Sequence, residues 1–393
     1  MANIAFLLNQ FPAGGVERVT MNLIPSLTRD KGHNVFIFVN RLDNEHLANL
    51  NLQVTYIPIP HEAWDKKNEA AVVEGIKKHG IELLFVPVIC PKYIFHIKEL
   101  ELCKICFVAH SAPFYELKEI RNTITRKWLL NKGLKAFKKP FIKTLKLKLG
   151  YYDRRLKSRY RRRYDKLDAF GVLFERYGEV IAKKIGVNYP DSKIFTLQNP
   201  FSQTSNVEFS AQRKKRIIFV GRLTYSDKRI DRLLKVWEIV CDRFSEWELT
   251  IIGDGPEEHS LQQYVIKHNL PRVEFVPFTA TPELYYKESE ILCLTSDFEG
   301  CPMVLLEAQQ YGCATIAFDC SYGVRDILSP NWENGVYVPN GDVEAYTNAL
   351  SRLIEDEELR HKIQKNGIEN VKRFSIERSV EYYDTLINKL CSK

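Results

Sequence analysis

The sequence predicts an α/β protein of two doubly wound, Rossmann-like domains, and three observations carry that prediction. Strand-length apolar runs alternate with helix-period stretches along most of the chain. The alternation stops at a polar stretch, residues 199–213, which contains Pro200, and then begins again. At 393 residues the chain also exceeds what one hydrophobic core usually organises.

In the first half, residues 3–8 read as a strand, 9–15 as a loop, 16–28 as a helix and 34–39 as a second strand, which makes a β-α-β unit. Apolar runs at 83–88 and 105–109 continue the pattern of strands buried on both faces of a parallel sheet. The second half opens with a strand at 216–220, a helix at 231–244, a strand at 248–252 and a helix near 257–269. Further strands follow at 273–276, 291–294, 314–318 and 335–338. The linker falls in 199–213, so the domains are expected at 1–200 and from 201 onward, facing each other across a cleft at the carboxyl ends of their strands.

Composition agrees with a globular chain, with 45% hydrophobic and 27% charged residues. Residues 1–11 lack the basic start of a secretory signal, and the apolar run 81–90 is too short to span a bilayer and contains Glu82, so a cytoplasmic location is expected. The nine cysteines are scattered through apolar runs, which suits a reducing compartment without disulfides. Cys103 and Cys106 have no second CxxC or histidine pair at zinc spacing, so they read as core thiols and no metal site is expected.

The charge is concentrated. Residues 121–163 hold 17 Lys and Arg against Asp153 alone, a segment charge of +16 within a net +8, which leaves −8 for the rest. Leu130, Leu134, Phe137, Phe141, Leu145 and Leu149 recur at steps of three or four among lysines, a basic amphipathic pattern that Pro140 is expected to kink or divide. Arg154, Arg155, Lys157, Arg159 and Arg161 to Arg163 add a second cluster. The pattern fits an insertion of the first domain that docks on an anionic membrane surface, or a solvated helix packing its own core. No nucleic-acid module accompanies it, so nucleic acid is not an expected partner.

The sharpest local signal is the run from Thr295 to Pro302 ahead of an apolar helix carrying Glu307. Pro302 suits the first helical position, and the free N–H groups of Met303 and Val304 then offer an anion site. Glu299 precedes that helix start and Glu307 lies within the helix, so two carboxylates flank the site and could accept paired hydroxyls on either side of a phosphate. Gly221-Arg222-Leu223 follows the strand at 216–220, with Lys228 six residues beyond Arg222, and both cations are expected to face the same cleft. Gly14-Gly15 before the first helix supplies bare backbone that can approach the same diphosphate.

These motifs together resemble glycosyltransferase family 4, of the GT-B fold, over nearly the whole chain. The resemblance rests on Val220-Gly221-Arg222-Leu223 with Lys228, Ile252-Gly253-Asp254-Gly255-Pro256, Glu299-Gly300 through Glu307-Ala308, and Asn334-Gly335 with Gly341-Asp342. Gly14-Gly15-Val16-Glu17-Arg18, Gly32-His33 and His110-Ser111 extend it loosely into the first half. It implies a retaining transfer of a hexose or N-acetylhexosamine from a nucleotide diphosphate sugar, by default UDP-linked, with no bound metal or other cofactor. His110 would contact the donor sugar, Arg222 and Lys228 the diphosphate, Glu299 the sugar hydroxyls and Glu307 the ribose. Gly14, Gly15, Gly253, Pro302, Met303 and Val304 would line the donor site.

The resemblance further implies that the second domain ends at 375 and that a terminal helix, 376–393, crosses back to the first, as Tyr382, Leu386, Ile387 and Leu390 allow. The stretch 322–326 with Asn331-Trp332-Glu333 is most similar to bacterial surface-polysaccharide members, which make capsule or lipopolysaccharide. That implies a lipid-linked or lipopolysaccharide-type acceptor at the inner face of the cell membrane, reached peripherally. Pro277, where the family commonly has glycine, and Cys313-Ala314 depart from the pattern. Two rivals share the fold: a nucleotide-sugar 2-epimerase, against which the basic segment argues, and a non-catalytic pseudo-transferase partner subunit, which should lack one of the charged site residues.

Overall fold

A computed structural model describes residues 1–12, 15–43, 47, 52–130, 138–203 and 213–392, with backbone alone at 127–130 and 138–140. The chain forms two compact units, one of Met1–Pro113, Arg154–Ser202 and Phe374–Lys393, the other of Phe114–Asp153 and Gln203–Arg373. Each is built on its own all-parallel sheet.

The first unit's strands are β1 (Asn3–Phe11), β2 (Asn34–Leu42), β3 (Thr55–Pro58), β4 (Leu83–Pro87), β5 (Lys104–Ala109), β6 (Ala169–Val172) and β7 (Ile194–Thr196). They lie in the order β3-β2-β1-β4-β5-β6-β7, with Ile4 opposite Val35 on one side and Leu83 on the other. Helices α1 (Gly15–Arg29), α2 (Glu69–His79) and α3 (Lys92–Glu99) connect them. Strand order reverses between β1 and β4, and at such a reversal the connections leave in opposite directions and open a crevice at the carboxyl ends.

The segment that follows is helical: α4 (Tyr115–Leu130), α5 (Lys138–Lys148), α6 (Tyr151–Lys166) and α7 (Glu175–Ile185). The charge pattern places 121–163 in the first domain, whereas Phe114–Asp153 groups with the second unit. The reason is side-chain hydrogen bonding from α4: Lys118, Asn122 and Arg126 all reach acceptors on the second unit's loops. Two helical pieces are described, α4 and α5, with Pro140 in α5; residues 131–137, which the expected kink or division would involve, lie outside the described residues. Phe141, Ile142 and Leu145, with Leu149 just beyond, stand exposed; Leu134 and Phe137 lie outside the described residues, as does the side chain of Leu130. The second basic cluster divides. Arg163 is buried over the Phe107 ring, 4.2 Å from its centroid, and Arg162 stacks on Phe95, so these two serve the first unit's packing.

The second unit's strands are β8 (Lys214–Val220), β9 (Glu248–Ile252), β10 (Val273–Val276), β11 (Ser289–Leu294), β12 (Ala314–Asp319) and β13 (Val336–Pro339), ordered β10-β9-β8-β11-β12-β13. Its helices are α8 (Ile230–Val240), α9 (Glu258–Lys267), α10 (Glu283–Glu288), α11 (Met303–Gln310), α12 (Tyr322–Leu328), α13 (Val343–Glu355) and α14 (Glu357–Asn370). On α8, Ile230, Leu233, Leu234, Trp237 and Val240 are buried at helical spacing, which lays that face on the sheet. Here the order reverses between β8 and β11.

The terminal helix α15 (Ile376–Cys391) packs in the first unit, capped by Ser375, whose hydroxyl accepts the Arg378 N–H. Val380, Tyr383, Leu386 and Ile387 are buried in the cluster that holds Leu23, Ile24 and Phe85, with Tyr382 and Leu390 against it. Asp384 bonds His33 at 2.8 Å and Glu381 pairs with Lys31 at 2.5 Å. Among the described residues, no helix is long and apolar enough to cross a membrane. Tyr383→Ala should cost roughly 3–5 kcal/mol by leaving a cavity between α15 and the sheet. Denaturant titration with hydrogen exchange on α1 and α15 would read it; a loss under about 1 kcal/mol would mean this contact does not hold the helix.

Candidate active site

In the second unit the expected residues converge on the switch point between β8 and β11. Gly221, φ 152°, ends β8, and Gly253, φ 132°, ends β9. A Cβ on Gly253 would lie 2.1 Å from the Gly221 carbonyl oxygen, and one on Gly255 would lie 2.3 Å from that of Leu223. These two loops therefore pack backbone on backbone, tied by Gly221 N–H to Ile252 O and Leu223 N–H to Asp254 O. The floor they make requires glycine.

On this floor the Lys228 Nζ donates to Glu299 Oε1 at 2.6 Å, and the Ser296 hydroxyl donates to the same oxygen at 2.6 Å. Both side chains of the ion pair are largely buried, at 18% and 11% exposure. Burial alone would push the ammonium down, but the Glu299 carboxylate outweighs it and holds Lys228 above its ordinary range. Arg222 is placed differently. Its side chain is 71% exposed and 3.8 Å from Asp227, so the two cations do not share an environment.

Pro302 is the residue before α11 rather than its first, and Leu305 makes the first turn's bond, to Pro302 O. That leaves the Met303 and Val304 N–H groups at the helix start, as an anion site requires. Glu307, one turn into α11, accepts a 2.8 Å hydrogen bond from the buried Tyr286 hydroxyl. Tyr286 carries no sequence signal for this role, being one tyrosine among 19.

Sequence reasoning also missed Asp297. Its carboxylate accepts from Asn122 at 2.7 Å, Arg229 at 3.2 Å and Arg232 at 3.0 Å. Its carbonyl accepts from Lys118 and Asn340, and its N–H donates to Asp227 O. Burial opposes ionisation here, but Arg232, Asn122 and Arg229 keep the carboxyl below its usual range. Arg229 sits in the left-handed region at φ 52°, unusual for a residue with a side chain, and is fixed by Asp231, Asp297 and the Tyr225 ring. The signal available was the Arg229-Ile230-Asp231-Arg232 spacing at a helix start.

The remaining expected residues lie in the first unit. His110, just past β5, has its Nδ1 3.2 Å from Asn199 Oδ1. Burial pushes its imidazole down to about 4, so the ring is neutral at pH 7. Gly15 opens α1, and Gly14 lies outside the described residues. Burial pushes the Glu17 carboxyl above its ordinary range, with the backbone N–H groups of Glu17 and Val16 acting the other way. Among the described residues, no group of three or more His, Cys, Asp or Glu is placed to hold a metal ion.

Residues 201–370 match the family described as glycosyl transferases group 1. An uncharacterized glycosyltransferase of Haemophilus influenzae is 30% identical over 200 residues, 51% of this chain and 56% of that protein. The amylovoran biosynthesis glycosyltransferase AmsD of Erwinia amylovora is 34% identical over 179 residues, 45% of this chain and 49% of that one. A lipopolysaccharide 1,6-galactosyltransferase of Salmonella typhimurium is 32% identical over 208 residues, 51% and 55% of the two. The chain spans about half the length of the curated relatives it matches. The solved structure of TarM superposes with a TM-score of 0.74 at 14% identity, covering 99% of each chain. That of Anabaena HepE with UDP and glucose gives 0.70 at 15%, covering 99% and 100%. The fold is that of these GT-B glycosyltransferase structures.

Gly253→Ala should destabilise the second unit by at least ~1–3 kcal/mol, because both φ and the Gly221 carbonyl oppose a Cβ. An unchanged thermal midpoint would contradict the close packing of the two loops. His110 should make stability depend on pH. Its folded value, about 4, lies below the ordinary 6.5, so its contribution is full above pH 6.5 and lost as pH falls toward 4. Urea midpoints of wild type and His110→Gln should converge at low pH; parallel curves would show that His110 does not titrate this way.

Proposed function

We propose that this chain is a retaining glycosyltransferase that moves a hexose or N-acetylhexosamine from a nucleotide diphosphate sugar, UDP-linked by preference, onto a lipid-linked or lipopolysaccharide-type glycan. The observation that carries the reading is the Lys228–Glu299 pair, set on a glycine floor at the switch point, within the stretch matching glycosyl transferases group 1. Support for the donor comes from Anabaena HepE, solved with UDP and with UDP-glucose. The acceptor class is suggested by relatives whose names specify lipopolysaccharide, poly(ribitol-phosphate) and an undecaprenol diphosphate-linked glycan.

In this reading the diphosphate takes the Met303 and Val304 N–H groups, with Arg222 and Lys228 as its cations. Glu299, released from Lys228, accepts sugar hydroxyls; Glu307 accepts those of the ribose. The bond between the sugar's anomeric carbon and the phosphate oxygen breaks, and its electron pair stays on the phosphate. The acceptor oxygen bonds that carbon from the same face, and its proton passes to the leaving phosphate. Lys228, turned from Glu299, and Arg222, drawn in from solvent, would offset this developing charge and lower the barrier. Neutral His110 can accept or donate a hydrogen bond at the sugar without adding charge.

The exposed Phe141, Ile142, Leu145 and Leu149, beside Lys143, Lys146 and Lys148, would seat α5 on an anionic inner membrane face, each lysine contributing on the order of 1 kcal/mol. The protein would then work in the cytoplasm as a peripheral membrane enzyme.

Purified protein should hydrolyse one UDP-sugar slowly and equally with or without EDTA. Because removing one partner of a buried pair strands the other charge, the informative variants are Lys228→Met, Glu299→Gln and their combination. Each should lower turnover about 10²–10³-fold with the fold retained by circular dichroism. Rates near wild type in either single variant would sink the assignment.

A further inference from the structure

One face of α4 carries Tyr115, Lys118, Asn122 and Arg126 at steps of three and four, and all four reach the second unit's loops. The Tyr115 ring lies 5.5 Å from that of Phe298, the neighbour of Glu299. The Lys118 Nζ donates to Asp297 O at 3.2 Å and to Cys320 O at 2.8 Å. Asn122 is buried, and its amide donates to Ser226 O and to Asp297 Oδ2, each at 2.7 Å. Ser226, Asp297 and Cys320 follow β8, β11 and β12, so α4 joins the loops at the carboxyl ends of three neighbouring strands.

Asn122 is placed with respect to the functional pair. Its two acceptors stand two residues before Lys228 and two before Glu299, one on each loop. A side-chain amide offers two N–H donors and no charge, and both donors are used here. Charge compensation does not require it, because Arg229 and Arg232 already pair with Asp297. Other ties also join the two loops, since the Asp297 N–H bonds Asp227 O and the Thr295 hydroxyl bonds Lys228 O at 3.1 Å. Removing the amide therefore leaves the loops folded but lets their separation drift. The match to glycosyl transferases group 1 covers 201–370, so α4 lies outside it and brings these contacts from 104 residues before Ser226.

We infer that Asn122, with Lys118 beside it, is a positioning residue for transfer: it sets the separation of the loops that carry Lys228 and Glu299, and turnover depends on that separation. Its effect on rate rests on the transferase reading, to which it adds that the second unit's site is incomplete without α4. A misplacement of about 1 Å, arising far from the chemistry, can cost roughly 10²-fold in rate. The loss should fall on kcat, because the pair serves charge that develops only in the transition state.

Asn122→Ala should lower kcat for UDP-sugar hydrolysis about 10–100-fold, with KM within about twofold and the circular dichroism of wild type. Lys118→Met should act in the same direction and keeps the test open if Asn122→Ala fails to fold; Lys118→Arg, which retains N–H donors, should recover most of the rate. In the combined Lys228→Met and Glu299→Gln background, adding Asn122→Ala should slow the enzyme less than about twofold, whereas a mere loss of folded protein would multiply in both backgrounds. A donor-free readout is lysine ammonium NMR: the Lys228 signal, assigned by its loss in Lys228→Met, should shift in Asn122→Ala toward its position in Glu299→Gln. An unchanged kcat in Asn122→Ala, an equal fold loss with and without the pair, or a Lys228 signal that Asn122→Ala leaves in place would each overturn the inference. A shifted Lys228 signal in a protein whose wild type hydrolyses no nucleotide sugar would instead remove the transferase reading and leave the positioning by α4 standing.

Discussion

The second unit's site depends on one carboxylate, Asp297, with only 13% of its side chain exposed. Asp297 stands two residues before Glu299, and its ligand Arg229 is the neighbour of Lys228, so the group that neutralises Arg229 and Arg232 also sets the separation of the functional pair. A charge removed from water must be compensated in place, and here the compensation is shared among α4, the β8 loop, α8 and the β11 loop. The left-handed turn at Arg229 is tolerated because three contacts fix its side chain; that turn directs Lys228 inward while Arg222 stays in solvent.

The same reasoning explains why the basic segment is not uniform. Part of its charge is consumed by the fold: Arg126 pairs with Glu257, Arg163 is buried against Phe107, and Arg161 holds Asp165. The lysines of α5 lie beside exposed Phe141, Ile142 and Leu145. A helix that keeps apolar side chains exposed beside cations has left hydrophobic surface uncovered by the described residues, and the membrane contact proposed above rests on that.

Much of the architecture was legible from periodicity. Apolar runs such as 83–86 and 291–294 are long enough for a strand and buried on both faces, and a parallel sheet produces that pattern because helices cover both sides. Shorter strands escaped notice: 169–172 and 194–196 present too few residues to show a period. In the second unit the charged site residues and the glycines stood out because strand-end loops that pack backbone on backbone leave a local mark in the sequence. Asn199 and Tyr286 left none, since each meets its partner through the fold, 89 residues from His110 in one case and 21 from Glu307 in the other.

The sequence by itself determined the α/β class, the restart of the winding after residue 199 and the residue types at the second switch point, because each is written in short-range spacing. Only the tertiary structure decided which unit α4 joins, and that Lys228 pairs with Glu299 while Arg222 faces solvent. Those outcomes turn on where distant charges find compensation once water is excluded, and such pairings have no period along a chain.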